Sequence, residues 1–316
     1  MQVIDAIKNA KEMMLSLEIT PPNKGTHIND LYETMDTLMP FKPKFINVTY
    51  HQPQVVYEEI DNVIYRIPKR KKPGTVGICA AIGNRYNVDT VPHFICGGFS
   101  KFETEDALID LHYLGIENIL ALRGDPAHGE RHFIPHRDGH RFASELVGQI
   151  HHMNRGIYLE ALEEAQPTNF CIGVSGYPEK HFEAPNMEKD LQHLKHKVEQ
   201  GAHYIITQMF FDFDRFRRFV EKAREIGIQV PIIPGIKPIN SINQLISIPR
   251  YFHITIPHHM VEAMENARTK EQARKVAIEK VADLCRQLLD YGVPGLHIYT
   301  MGRGKTTRDL LHMLLG

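Results

Sequence analysis

A recurring unit constrains this chain more than any other feature: a short apolar strand, a helical stretch, a glycine, then the next strand. Eight strand candidates read at Leu15–Ile19, Phe45–Tyr50, Pro92–Cys96, Asn118–Leu122, Phe170–Ser175, Tyr204–Met209, Val230–Gly235 and Gly295–Thr300. They are short and rich in Ile and Val, as strands covered on both faces are. Helical patterns fall at Leu31–Leu38, Thr75–Asn87, Glu105–Leu114, Ser144–Glu163, Met187–Gln200, Phe213–Ile226 and Ala273–Tyr291, with Thr104 expected as an N-cap and Gly115, Gly201, Gly227 and Gly292 closing helix ends. Strands alternating with helices predict a parallel sheet. Eight such units predict an α/β chain folded as a (β/α)8 TIM barrel, a fold of about 250 residues that tolerates insertions. One domain over 1–316 is expected. Its insertions should lie near 51–73, where alternating apolar positions run into P-K-R-K-K-P-G, and near 126–141, rich in Pro, Gly and His. An open doubly wound sheet fits eight successive units less well.

Composition removes several classes. Lys and Arg number 37 against 38 Asp and Glu, so a basic face for nucleic acid is not expected. No apolar run approaches the roughly 20 residues that span a bilayer, and the N-terminus M-Q-V-I-D-A-I-K lacks a signal-peptide core. Cys79, Cys96, Cys171 and Cys285 form no C-x-x-C pair, which fits free thiols in a reducing cytoplasm. The 19 histidines show no H-E-x-x-H spacing, so no metal is expected. Gly302-Arg-Gly304-Lys305-Thr306 resembles the end of a P-loop, but Tyr299 stands where that motif needs glycine. No G-x-G-x-x-G occurs, so a Rossmann dinucleotide site is unsupported.

In a barrel of this kind, chemistry collects at the C-terminal ends of the strands. That rule selects Glu18, then Thr49, Tyr50 and His51, then His93, then Arg123, Gly124 and Asp125, then Tyr177, Gln208 and Arg303. Glu18 stands inside S-L-E-I-T. A carboxyl facing a barrel interior loses hydration, which favours its protonated form and suits a general acid. The competing reading is a structural ion pair with Arg123 or a lysine. In A-L-R-G-D-P, Gly124 admits close backbone approach and Arg123 can pair with an anion, while the plain alternative is a turn. On the 187–200 helix, Leu191, Leu194 and Val198 form the apolar stripe and Asp190, His193 and Lys197 a polar one. That polar stripe reads either as a solvated face or as a clamp for a ribose and diphosphate.

The motifs S-L-E-I-T-P-P, F-I-N-V-T-Y, P-H-F-I-C, A-L-R-G-D, G-V-S-G-Y-P-E-x-H-x-E-A, D-L-x-x-L-K-x-K-V-x-x-G-A, I-T-Q-M-F-F-D, I-P-G-I-x-P and H-I-Y-T-x-x-R occur in this order over nearly the whole chain. Together they resemble the methylenetetrahydrofolate reductases. The resemblance implies a barrel that carries FAD and reduces methylenetetrahydrofolate to methyltetrahydrofolate with NADH or NADPH, in two hydride transfers through the flavin, supplying methyl groups for methionine synthesis. It implies Glu18 as general acid, and Asp125 as a catalytic residue near the flavin that also contacts the pterin. Gln208, Gln244 and Arg303 match folate-contacting positions. Thr49, Tyr50, His93, Arg123, Gly124, Asp125, Ala143, Tyr177, His181, Ala184, Asp190, His193, His196 and Lys197 match cofactor-binding positions. The resemblance also implies a cytoplasmic homo-oligomer. His193 and His196 stand where bacterial members carry Asn and Arg, so a less cationic diphosphate clamp is expected. Ile248 stands where an aromatic ring stacks, so aliphatic contact is expected there. The 51–73 stretch is longer than in those members. The chain ends just after the last barrel helix, so the S-adenosylmethionine-binding regulatory domain of eukaryotic members is expected to be absent. A flavin- or folate-binding subunit without catalysis is the alternative, and Glu18, Asp125 and Gln208 argue against it.

Overall fold

The computed structural model describes residues 1–10, 13–127, 130, 132–302 and 304–316. Its parallel strands are β1 (Met14–Ile19), β2 (Phe45–Val48), β3 (Asp89–Ile95), β4 (Asn118–Leu122), β5 (Cys171–Gly176), β6 (Tyr204–Thr207), β7 in two segments (Ile232–Ile233 and Gly235–Ile236) and β8 (Gly295–Tyr299). Each pairs with its neighbour in order, and β8 returns to β1, so the ring closes as an eight-stranded barrel. Pro234 divides β7 because it offers no N–H to the ladder. The first segment pairs with β6 and the second with β8, and the Pro234 carbonyl accepts from the His297 N–H at 3.0 Å. The expected barrel is therefore the fold, and every predicted strand is present.

The helices are α1 (Val3–Asn9), α2 (Asn29–Leu38), α3 (Thr75–Tyr86), α4 (Lys101–Tyr113), α5 (Ala143–Met153), α6 (Met187–Glu199), α7 (Phe213–Glu225), α8 (Gln244–Phe252), α9 (His258–Glu265), α10 (Lys270–Asp290) and α11 (Gly304–Leu315). Two expectations need correction. Helix α4 starts earlier than Glu105, because Ser100 and Glu103 form a capping box, leaving Thr104 inside the helix. Helix α5 stops at Met153 rather than Glu163, where the chain turns through Gly156 at φ 72°. The 51–73 stretch holds an antiparallel hairpin, Gln54–Ile60 against Val63–Lys69. Its two-residue loop, Asp61-Asn62, has φ 51° and 61°, the geometry that matches strand twist.

Alternation inside each strand builds the interior in layers. Outward residues such as Leu17, Ile46, Ile119, Ile172 and Ile298 pack against the helices. Inward residues begin apolar: Met14, Phe45, Val91, Leu120, Cys171, Tyr204 and Ile233 fill the lower barrel, and Val3 and Ala6 of α1 plug its base. One step toward the C-terminal mouth the inward positions turn polar, with Ser16, Asn47, His93 and His297 all buried. Small residues make room for large ones: a Cβ at Gly173 would lie 2.6 Å from a ring atom of Tyr204.

Tyr204 is fully buried, and its hydroxyl finds no hydrogen-bond partner among the described residues. Burial, and then Cys171, pushes its pKa well above the usual phenol value. A buried unpaired hydroxyl costs about 1–3 kcal/mol, so Tyr204→Phe should raise the unfolding free energy by about 1 kcal/mol in urea titration. A destabilised variant would mean that the hydroxyl is satisfied after all.

Candidate functional site

The top inward layer is the chemical one. Glu18 is 8% exposed at the end of β1. Its Oε2 lies 3.7 Å from His93 Nε2 on β3 and 4.0 Å from His297 Nε2 on β8. Burial lowers the pKa of His93 to about 4, with Glu18 opposing the shift and His297 and His51 adding to it, so His93 is neutral at neutral pH. Asn47 on β2 sits 3.4 Å from the same His93 nitrogen. Tyr299, paired in register with Glu18, donates its hydroxyl across the barrel to the Thr207 carbonyl at 2.7 Å. The competing reading of Glu18 as a partner of Arg123 fails, because Arg123 is bound by Glu183.

A second group lies where β4 and β5 end. Gly124 adopts φ 88°, and a Cβ there would come within 3.2 Å of Ile95 Cβ and 3.1 Å of Gln52 Nε2. Gln52 donates to the Asp125 carbonyl at 2.6 Å, and the Asp125 side chain stays exposed. Arg123 also lies over the Phe133 ring, 5.0 Å from its centroid. The Arg123 guanidinium holds the Glu183 carboxyl below its ordinary range. Tyr177 accepts from Ser175 at 3.2 Å, and burial pushes its hydroxyl up to about 12. The His181 ring packs edge-on against Tyr177 at 4.8 Å. Its pKa falls to about 4, first through burial and then through Arg123, Lys197 and Lys180, with Glu183 opposing.

Helix α6 supplies the other wall. Asp190 Oδ2 accepts from the His181 N–H at 3.0 Å, and burial raises the pKa of this carboxyl. Lys197 donates to the Ser175 carbonyl; burial lowers its pKa to about 8, with Asp190 opposing. It therefore keeps its charge at neutral pH. The polar stripe of this helix thus divides: Asp190 and Lys197 turn inward, while His193 and His196 are exposed.

The remaining predicted residues sit as follows. Thr49 Oγ1 is 3.1 Å from His51 Nε2 just beyond β2. Burial, and then Lys72, lowers the pKa of His51, while Glu18 and Asp125 oppose. Tyr50 and His93 line a cavity of about 110 Å³ with Phe99 and Arg70. Ala143 opens α5, and Ala184 is buried. Gln208 is half-buried, its Oε1 held by the Met209 N–H at 2.9 Å. Gln244 opens α8, its Oε1 accepting from the Asn240 N–H at 2.8 Å. Arg303 lies outside the described residues. Ile248 is a correction: at 3% exposure it packs into the core and presents no aliphatic platform, whereas Ile242 in the preceding loop is 40% exposed.

Three residues escaped the sequence reading. His297 and Tyr299 lie within a predicted strand, and Lys237 occupies the open position of I-P-G-I-x-P. Lys237 is 5% exposed, and its Nζ donates to the Pro238 carbonyl at 3.2 Å. Period-two alternation from Gly235, registered with His297, would have placed Lys237 on the inward side.

The family model described as methylenetetrahydrofolate reductase matches residues 3–315. Methylenetetrahydrofolate reductase 1 of Schizosaccharomyces pombe is 32% identical over 96% of the chain and 46% of its own length. The Arabidopsis thaliana protein named methylenetetrahydrofolate reductase (NADH) 1 is 31% identical over 98% of the chain and 50% of its own length. The 5,10-methylenetetrahydrofolate reductase of Pectobacterium carotovorum is 28% identical over 95% of the chain and 89% of its own length. The chain thus spans about half the length of these eukaryotic relatives and most of the bacterial one. Among solved structures, a Clostridium thermocellum protein described as binding two copies of 5-methyl-5,6,7,8-tetrahydrofolic acid shares the fold, with TM-score 0.56 and 13% identity over 98% of this chain and 96% of its own.

Proposed function

Because the chain belongs to the methylenetetrahydrofolate reductase family, we propose that it reduces 5,10-methylenetetrahydrofolate to 5-methyltetrahydrofolate with FAD as resident cofactor and NADH or NADPH as donor. The observation that carries this reading is Glu18: a carboxyl buried in the top layer of a closed barrel, beside a neutral His93. The residues present fit a dinucleotide cofactor. The charges of Arg123, Lys180 and Lys197 all act on His181, and cations in that number suit a diphosphate once they exchange their present partners, Glu183 and backbone carbonyls, while Asp190 on the same wall suits a ribose hydroxyl. Gly124 keeps the β4 end free of a Cβ where a ring would approach the backbone. Bound there, FAD would supply hydride transfer, the chemistry no side chain offers.

The chain's own residues do the rest. Glu18 delivers a proton to the bridging nitrogen of the folate, which opens the five-membered ring and leaves the methylene carbon electrophilic. Asp125, exposed at the mouth, orients the pterin. Gln208 and Gln244 flank the folate, their amides already fixed by backbone N–H groups. The polar upper layer keeps the proton source apart from the apolar floor of the barrel.

Colour tests the proposal. The purified protein is expected to be yellow and to bleach under anaerobic NADH or NADPH. A colourless preparation that also fails to take up added FAD would contradict it. A yellow protein that never bleaches would favour a flavin-binding subunit without catalysis.

A further inference from the structure

Helices α4 and α5, with the segment that follows α5, border a cavity of about 470 Å³, and none of the residues singled out at the barrel mouth lines it. Four charged side chains do: Lys101 and Glu105 from α4, Arg141 from the turn before α5, and Glu145 from its first turn. The charges balance, yet among the described residues no ion pair joins either cation to either carboxylate, and neither cation's side chain has an acceptor. Glu105 is only 8% exposed, and its one hydrogen bond is from the Leu159 N–H at 2.9 Å. A buried carboxylate without a cation is costly. His140 has a need of the same kind. It is 4% exposed and lines the cavity, and its Nδ1 has no hydrogen-bond partner among the described residues. Gln149 fixes the tautomer of this ring. Its amide nitrogen donates to the Lys101 carbonyl at 2.9 Å, so its oxygen, 2.5 Å from His140 Nε2, accepts. Burial, and then Lys101, lowers the pKa of His140, with Gln149 and Glu145 opposing. The ring is therefore neutral, and Nδ1 is a bare acceptor. Glu145 Oε2, 4.0 Å from it, is an acceptor too and already takes the Arg141 and Phe142 N–H groups. A buried polar atom left unsatisfied calls for an explanation, and a missing ligand is one.

We propose that this cavity binds a small zwitterion of the α-amino-acid type with an apolar side chain. An ammonium group brings three N–H donors, and His140 Nδ1, Glu105 and Glu145 are the acceptors that want them. A carboxylate at the other end of the ligand meets Lys101 and Arg141, the second of which offers the fork that suits it. The side chain lies against Ile157 and Leu159, which line the cavity and are 48% and 39% exposed. A simple anion would leave His140 and both acids unmet, and a simple amine would leave both cations unmet. The volume falls within the range of small-ligand pockets, about 300–1,000 Å³. No residue assigned to flavin or folate takes part, so the inference stands apart from the reading of the barrel mouth.

The probes are L-leucine and L-phenylalanine, titrated calorimetrically into the full chain. Two truncated forms of leucine run beside them: isoamylamine, which lacks the carboxylate, and 4-methylpentanoate, which lacks the ammonium group. At least one of the amino acids should bind, one per chain. Each truncated form should bind about tenfold more weakly than leucine, or not at all. Glu105→Gln keeps an acceptor for the Leu159 N–H. It should weaken the amino acid about tenfold and leave 4-methylpentanoate as it was. His140→Gln keeps a donor for Gln149 but removes Nδ1, and should act in the same direction. Lys101→Met, at an exposed position, should instead weaken the amino acid and leave isoamylamine as it was. That variant carries the test if a buried substitution fails to fold. The absence of heat from both amino acids at millimolar concentration would overturn the proposal. So would binding that is equal in the parent and in Lys101→Met and Glu105→Gln, or 4-methylpentanoate binding as tightly as leucine.

Discussion

Glu18→Gln should reduce folate turnover by about 10²–10⁴-fold, the range expected for loss of a general acid, or about 3–5 kcal/mol of barrier. Glutamine keeps the size and hydrogen-bonding outline of the side chain but has no acidic proton. The barrel should therefore fold, and the loss should fall on one half of the reaction. Under the proposed function, reduction of a bound flavin by NADH or NADPH would require no proton from Glu18 and should proceed nearly as in the parent protein when followed by rapid mixing. Folate turnover within twofold of the parent would remove Glu18 from the acid role. Equal loss in both halves would point to a distorted site instead.

Gly235→Val should be the most damaging single change to the barrel. Gly235 stands where β7 resumes after Pro234, with its N–H donated to Thr207 Oγ1 at 2.9 Å. A Cβ there would overlap the Thr207 carbonyl and lie 2.5 Å from the Tyr299 ring. The carbonyl is backbone and cannot rotate away, so relief must come from moving β6, β7 or Tyr299. Overpacking of this kind costs about 1–3 kcal/mol and occasionally more, and here it also breaks the seam that closes the ring. A loss of about 3 kcal/mol in urea unfolding, or failure to obtain folded protein, is expected. Gly74→Ala is the control: nothing lies within 4 Å of its Cβ position and its backbone is extended, so it should stay within about 0.5 kcal/mol of the parent. A Gly235→Val protein as stable as that control would mean that β7 and β8 do not meet as described.

The strands were readable because both of their faces are covered, which leaves dense runs of Ile and Val at spacings no helix explains. The ring followed from counting them. Helix limits were less readable where a cap or turn decides them. Ser100 and Glu103 start α4 through a reciprocal hydrogen-bond pair, a pattern easily passed over beside the closer Thr104. In the same way, Asn154 ends α5 by fixing Thr168 and Phe170 with its side chain, contacts no local window contains. The candidate residues were readable at the strand ends, where polar residues interrupt apolar runs, as with Glu18 and Asp125. It was not readable one layer deeper: His297 looks like part of an ordinary strand until the register sets it beside Ser16 and opposite Glu18. Lys237 was hidden in the same way, its inward direction fixed only by pairing with β8.

The most direct test of the whole account is to bleach the protein with NADH under anaerobic conditions, remove the excess donor, and add methylenetetrahydrofolate. The account predicts that the yellow colour returns in step with one methyltetrahydrofolate formed per reduced flavin. Colour that stays bleached in the presence of saturating folate, in protein that an artificial oxidant can still reoxidise, would contradict it.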